Sequence, residues 1–194
     1  MLATAGIPKG IDGWAAEPKL DGWRARVLVD GDELQVRTRS GRVITESVPS
    51  VQGLSGLRAV LDGELVADAG RLSDLYRLGP ALAVKRGRKV PVAFVVFDVL
   101  WQDGEMLVNR AWAERRTALE GLDLPSRGVP VASVYGWEQI PDLFRACAAL
   151  GVEGIVLKDL KGRYEPGKRS DAWRKVKCDA WREHRDRRLP SDHS

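Results

Sequence analysis

Between Trp23 and Arg39 apolar and polar residues alternate with a period of two, interrupted only at Gly31-Asp32-Glu33. That pattern turns one face of an extended chain to a core and the other to water. A short Gly/Asp break folds it back, so a β-hairpin of residues 23–30 and 34–39 is expected. Arg58–Asp68 and Glu153–Lys158 read as further strands, as does Val129–Tyr135. Val92–Trp101 is almost continuously apolar, which suits a central strand covered on both faces. Helices are expected at Leu72–Leu78, at Asn109–Gly121 with Asn109 as N-cap and Gly121 past the end, and at Gln139–Leu150. Charges such as Glu114, Arg115 and Arg116 read as the solvated face of the second helix. The 194 residues suffice for one domain with a sizeable core, or for two small ones.

Composition excludes several classes. No apolar run approaches the roughly 20 residues of a membrane span, and the N-terminus lacks the basic, then apolar, pattern of a signal peptide. Cys147 and Cys178 have no CxxC spacing, which suits reduced thiols and a cytoplasmic location. His184 and His193 both lie in the polar tail, so a histidine triad or His-ligated metal is not expected. The net charge is +4, and residues 151–194 carry all of it: 12 Lys and Arg against 8 Asp and Glu, with 19 of each before them. A basic end of that kind suits a polyanionic partner.

Chemistry concentrates at Glu17-Pro18-Lys19-Leu20-Asp21-Gly22-Trp23-Arg24. A lysine becomes a nucleophile when its amine is neutral, a form that burial and nearby cations favour. The bland alternative is a surface lysine paired with Glu17 or Asp21. Near the C-terminus Lys175 and Lys177 are two apart, so a strand would put both amines on one face. Gly162 to Lys168 satisfies GxxxxGK, the pattern of a phosphate-binding P-loop. Arg169 stands where that loop needs Ser or Thr, and Pro166 removes an N–H, so the match is rejected. Arg26 and Arg37 read as the solvated edge of the hairpin.

Taken in order, KLDGWR (19–24), TRSGR (38–42), DGE (62–64), FVVFDVLWQDG (94–104), EGIVLK (153–158), YEPGKRSDAW (164–173) and KVK (175–177) resemble the covalent nucleotidyltransferases. Within that superfamily the context is most similar to bacterial ATP-dependent DNA ligases of the end-joining type. The resemblance implies an α+β adenylation fold of packed, mainly antiparallel sheets flanked by helices. It implies ATP and Mg²⁺ (or Mn²⁺), with Lys19 taking AMP as a phosphoramidate. Glu17 would read the adenine amine and Phe97 would stack on the base. Arg24, Glu64, Lys158, Lys175 and Lys177 would also contact the nucleotide, and Glu64 and Glu153 would serve the metal. Arg39 would grip the 5′-phosphate of nicked or broken double-stranded DNA, which is then sealed in repair. A non-catalytic module binding nucleotide or DNA ends, and an RNA ligase, are the alternatives.

The expected division is an adenylation domain over 1–178 and a polar tail or linker over 179–194. After Lys177 only 17 residues remain (194 minus 177), too few for the OB-fold domain that ligases carry there. No OB-fold is therefore expected in the chain, and activity is expected to be weak without one supplied separately.

Overall fold

The computed structural model describes residues 1–67 and 92–179; the helix expected at Leu72–Leu78 and the tail from 180 onward lie outside them. The strands are β1 (Leu2–Ala5), β2 (Trp14–Pro18), β3 (Trp23–Asp30), β4 (Glu33–Thr38), β5 (Arg58–Ala67), β6 (Val92–Gln102), β7 (Glu105–Met106), β8 (Tyr135–Gly136), β9 (Gly154–Asp159) and β10 (Arg169–Lys177). Among the described residues they are accompanied by α-helices α1 (Trp112–Gly121) and α2 (Ile140–Ala149). One sheet runs β1-β10-β9-β2-β8 and the other β4-β3-β5-β6-β7. Every pairing is antiparallel except β1 with β10. The arrangement is α+β, as expected.

The hairpin forms in the expected place, with Asp30 opposite Glu33 and a two-residue turn at Gly31-Asp32. Gly31 has φ +63°, a region a glycine enters without Cβ strain. The alternation resolves as predicted: Ala25, Val27, Val29 and Val36 are buried, while Arg26, Asp30 and Arg37 are exposed. Their buried face packs with Leu61, Leu65, Phe94 and Val96 and with Leu119 of α1. Helix α2 covers the other sheet, burying Ile140, Leu143 and Cys147 against Ala16, Ile155 and Leu157. Between the sheets Met1, Leu100, Tyr164 and Trp173 form a third cluster, with Phe97 beside it.

Three local expectations are corrected. Helix α1 begins at Trp112, not after Asn109, because the Glu114 carboxylate accepts the N–H of Ala111 (2.8 Å), and Gly121 is its last residue. The strand expected at Val129–Tyr135 reduces to one bridge, Val131 to Val96, and the two residues of β8. Pro130 has no N–H to give a ladder there; only its carbonyl takes part, accepting from Val96 (2.9 Å). Finally, Arg115 is not on a solvated face. It is wholly buried and donates through Nε and Nη2 to both oxygens of Asp98, at 2.9 Å each.

Candidate active site

Lys19 stands at the crossing between the sheets, immediately after β2. Its N–H donates to the carbonyl of Gly154 (2.8 Å), prolonging the β2–β9 ladder by one residue before the chain turns away. Gly22 makes that crossing possible, since a Cβ there would lie 2.1 Å from the carbonyl oxygen of Leu65. The KxDG spacing thus fixes where the lysine emerges.

The Lys19 amine is hydrogen-bonded to Glu153 Oε2, while Lys177 Nζ lies 2.6 Å from Glu153 Oε1. The carboxylate is buried, at 3% exposure, and the two amines are about a quarter exposed, at 23% and 25%. Lys175 lies two residues before Lys177 and lines the same cleft as Lys19. Desolvation, then the charges of Lys177, Arg169 and Lys19, hold its ammonium below the usual lysine range. The site therefore concentrates positive charge around one buried acid.

A second ion pair sits deeper. Lys158 Nζ donates to Glu17 (2.8 Å) and to the carbonyl of Phe97 (3.1 Å). It lies 4.8 Å from the Phe97 ring centre and 4.5 Å from that of Trp173. Burial pushes the Glu17 carboxyl above its usual value, against the pull of Lys158. Lys158, which the resemblance implies contacts the nucleotide, thus has its amine on Glu17 among aromatic rings. Replacing Lys158 by Met should cost about 3 kcal/mol, the lower end for breaking a buried pair, because Glu17 can take up a proton. Urea unfolding at neutral pH measures this, and a loss below 1 kcal/mol would show the pair to be dispensable.

Arg24 completes the cleft wall. It donates to Asp62 through Nε (3.0 Å) and Nη2 (2.5 Å) and to the carbonyl of Met1. The Tyr164 hydroxyl donates to Asp62 (2.7 Å) and accepts from Arg24 (3.2 Å). Asp62 is thereby satisfied inside an apolar strand, at a register shift in the β5–β6 ladder. Glu17, Lys19, Arg24, Arg39, Glu64, Phe97, Lys158 and Lys175 all line one cleft, together with Arg169 and Trp173. Glu153 and Lys177 join it through their pairing with Lys19.

The family described as ATP dependent DNA ligase domain matches residues 6–177, nearly nine-tenths of the chain. The chain belongs to that family. A probable DNA ligase of Streptomyces griseus is 38% identical over 180 residues, covering 84% of this chain and 35% of its own length. The multifunctional non-homologous end joining protein LigD of Mycolicibacterium smegmatis is 34% identical, covering 91% of this chain and 23% of its own. Among solved structures, the ligase domain of Mycobacterium tuberculosis LigD superposes with a TM-score of 0.75 at 32% identity, covering 91% of this chain and 59% of its own. A mycobacterial DNA ligase D complexed with ATP and MES gives 0.73 at the same identity and covers 58% of its own chain. The ligase domain described here thus spans about a third or less of the curated relatives.

Two features of the ligase domain were not legible as site features. Tyr164 belongs to a recognised motif, but only the fold shows its hydroxyl on the Arg24–Asp62 pair. Arg115 carried a signal: it lies three residues after Trp112 and four before Leu119, on the buried stripe of α1. Its Nη1 also donates to the carbonyls of Arg110 (2.8 Å) and Gly162 (3.2 Å), tying α1 to the loop that leads to Tyr164.

Glu64 stands half-buried at the cleft, and desolvation raises its carboxyl to about 8, against the pull of Lys19 and Arg24. Among the described residues no group of three His, Cys, Asp or Glu could hold a metal. A carboxylate that lacks enough cation around it, with Glu153 close to Lys19, still fits a hard cation shared with substrate phosphates, which needs only one or two carboxylates. The raised value has a consequence for the free domain. Its native state holds the Glu64 proton, so that stability is present below the ordinary value of 4.5 and lost as pH rises through about 8. Glu64→Gln should lose less stability than wild type between pH 5 and 9 in urea unfolding. Parallel curves would place the group in water.

Proposed function

We propose that residues 1–178 act as the adenylation domain of an ATP-dependent DNA ligase that joins strands in repair. The observation that carries this is the Lys19 amine on Glu153, in one cleft with Phe97, Glu17, Arg24 and Lys175. In the first step a Lys19 Nζ–phosphorus bond forms at the α-phosphate of ATP, and the bond to the departing pyrophosphate breaks. The amine must shed a proton, and Glu153 Oε2 is the acceptor already touching it. Lys175 and Lys177 offset charge on the phosphates; Arg24 and Glu64 serve the ribose side. Phe97 supplies the face for the purine, beside Glu17. Lysyl-AMP then gives its AMP to a DNA 5′-phosphate held by Arg39, and a 3′-hydroxyl displaces the AMP to seal the strand.

Mg²⁺ (or Mn²⁺) would be held by Glu64 and Glu153 and would neutralise phosphate charge. An OB-fold domain, in the same protein or supplied in trans, would complete the grip on DNA and on the pyrophosphate. Two buried free cysteines support a reducing, cytoplasmic setting. No helix among the described residues is long and apolar enough to cross a membrane. The test is the mass of the intact chain after incubation with ATP and Mg²⁺. Gain of a single AMP is expected; an unchanged mass at all ATP concentrations and times would refute the reading.

A further inference from the structure

The outward face of the second sheet carries charge that the cleft does not use. Arg26 on β3 stands directly opposite Arg37 on β4, and both are exposed. Their neighbours Val27 and Val36, also opposite each other, are fully buried on the inner face. Like charges placed directly across an antiparallel pair repel. On the other flank of Arg26 stands Asp62, but its oxygens already serve Arg24 and Tyr164. Arg37 Nε donates to Gln35 (2.6 Å), a neutral acceptor. Among the described residues neither arginine has an ion pair. Charged side chains on an edge strand discourage sheet-to-sheet pairing, which would account for Arg37 on β4. That reason fails for Arg26, whose strand is internal.

The pair is also continuous with the active site. Arg39 follows Arg37 by two residues, just past the end of β4, and lines the cleft of Lys19. Arg24, Arg26 and Arg39 together line a second depression that leads away from it, past Trp101 and Gly167. Arg26 lies about 6.6 Å further along β3 than Arg24, at the rise of an extended strand.

We propose that Arg26 and Arg37 contact phosphates of the DNA duplex, extending the track that begins at Arg39 away from Lys19. This rests on the ligase reading given above. A duplex presents a negative charge every ~1.7 Å of its axis, so phosphates reaching this face would turn a repulsive pair into an attractive one. Contacts of this kind position the duplex and carry no sequence preference.

The experiment compares wild type with the Arg26→Gln/Arg37→Gln double variant, by anisotropy of a labelled nicked duplex at about 50 to 200 mM salt. Two lost contacts should reduce the slope of log affinity against log salt by about 1.8, and weaken low-salt binding. Uptake of AMP from ATP should stay within about twofold, and the Arg26→Lys/Arg37→Lys variant should keep the wild-type slope. An adenylated wild type whose Gln variant binds DNA with unchanged slope and affinity overturns this proposal alone. So does a Lys variant that loses slope as the Gln variant does. A wild type that takes up no AMP strikes the ligase reading instead.

Discussion

Lys19→Ala should take up no AMP from ATP under conditions where the wild-type chain becomes adenylated to completion. The amine is the proposed nucleophile, and the Lys177 amine does not stand in its place: it is held on the far oxygen of Glu153, 2.6 Å away. The fold should survive. Glu153 keeps Lys177 as its partner, and Lys19 is partly solvated already, so a stability loss of about 1 kcal/mol or less is expected. Peptide mapping after reaction with labelled ATP checks the site. Label on any residue but Lys19, or undiminished labelling of Lys19→Ala, would refute the assignment.

Glu153→Gln should be nearly as severe for the chemistry. The substitution keeps the shape but removes the carboxylate that accepts from the Lys19 amine, leaving only the more distant carbonyl of Leu20 (3.5 Å), and general-base groups contribute about 10² to 10⁴ in rate. Single-turnover adenylation at saturating ATP should fall by that factor, and recover in part as pH rises and solvent takes over the proton. Stability should fall by only about 1 to 3 kcal/mol, because the two ammonium groups that lose this carboxylate are a quarter exposed and can be hydrated. A variant that loses stability but reacts at the wild-type rate in its folded fraction would make Glu153 a purely structural anion.

These two residues show how far the chain could be read without its fold. The hairpin of β3 and β4 was legible because alternation and a Gly-Asp turn are local, decided within a few residues. So was β6, from its apolar run, and so was the lysine between two acids, the proposed nucleophile. The motif order also named the members of the cleft, from Glu17 to Lys177. What it left open was which charges meet. Lys19 and Glu153 lie 134 positions apart and Lys158 and Glu17 lie 141 apart, brought together by the pairing of β2 with β9.

Misreadings arose where burial contradicted residue type. Arg115 looked solvated because a charged side chain on a helix usually is, yet Asp98 pairs with it inside the core. Asn109 looked like a cap, but the Glu114 carboxylate moved the helix start to Trp112. Val129–Tyr135 looked like a strand, and Pro130 withheld the N–H that a ladder needs. By itself the sequence determined most of the elements, their periodic faces and the position of the lysine between two acids, because those depend on neighbours along the chain. Only the tertiary structure decided that one buried carboxylate would hold two lysines and that Arg26 and Arg37 would face each other uncompensated. Such charge balance depends on neighbours in space, and those are set by how the strands are ordered in the sheets.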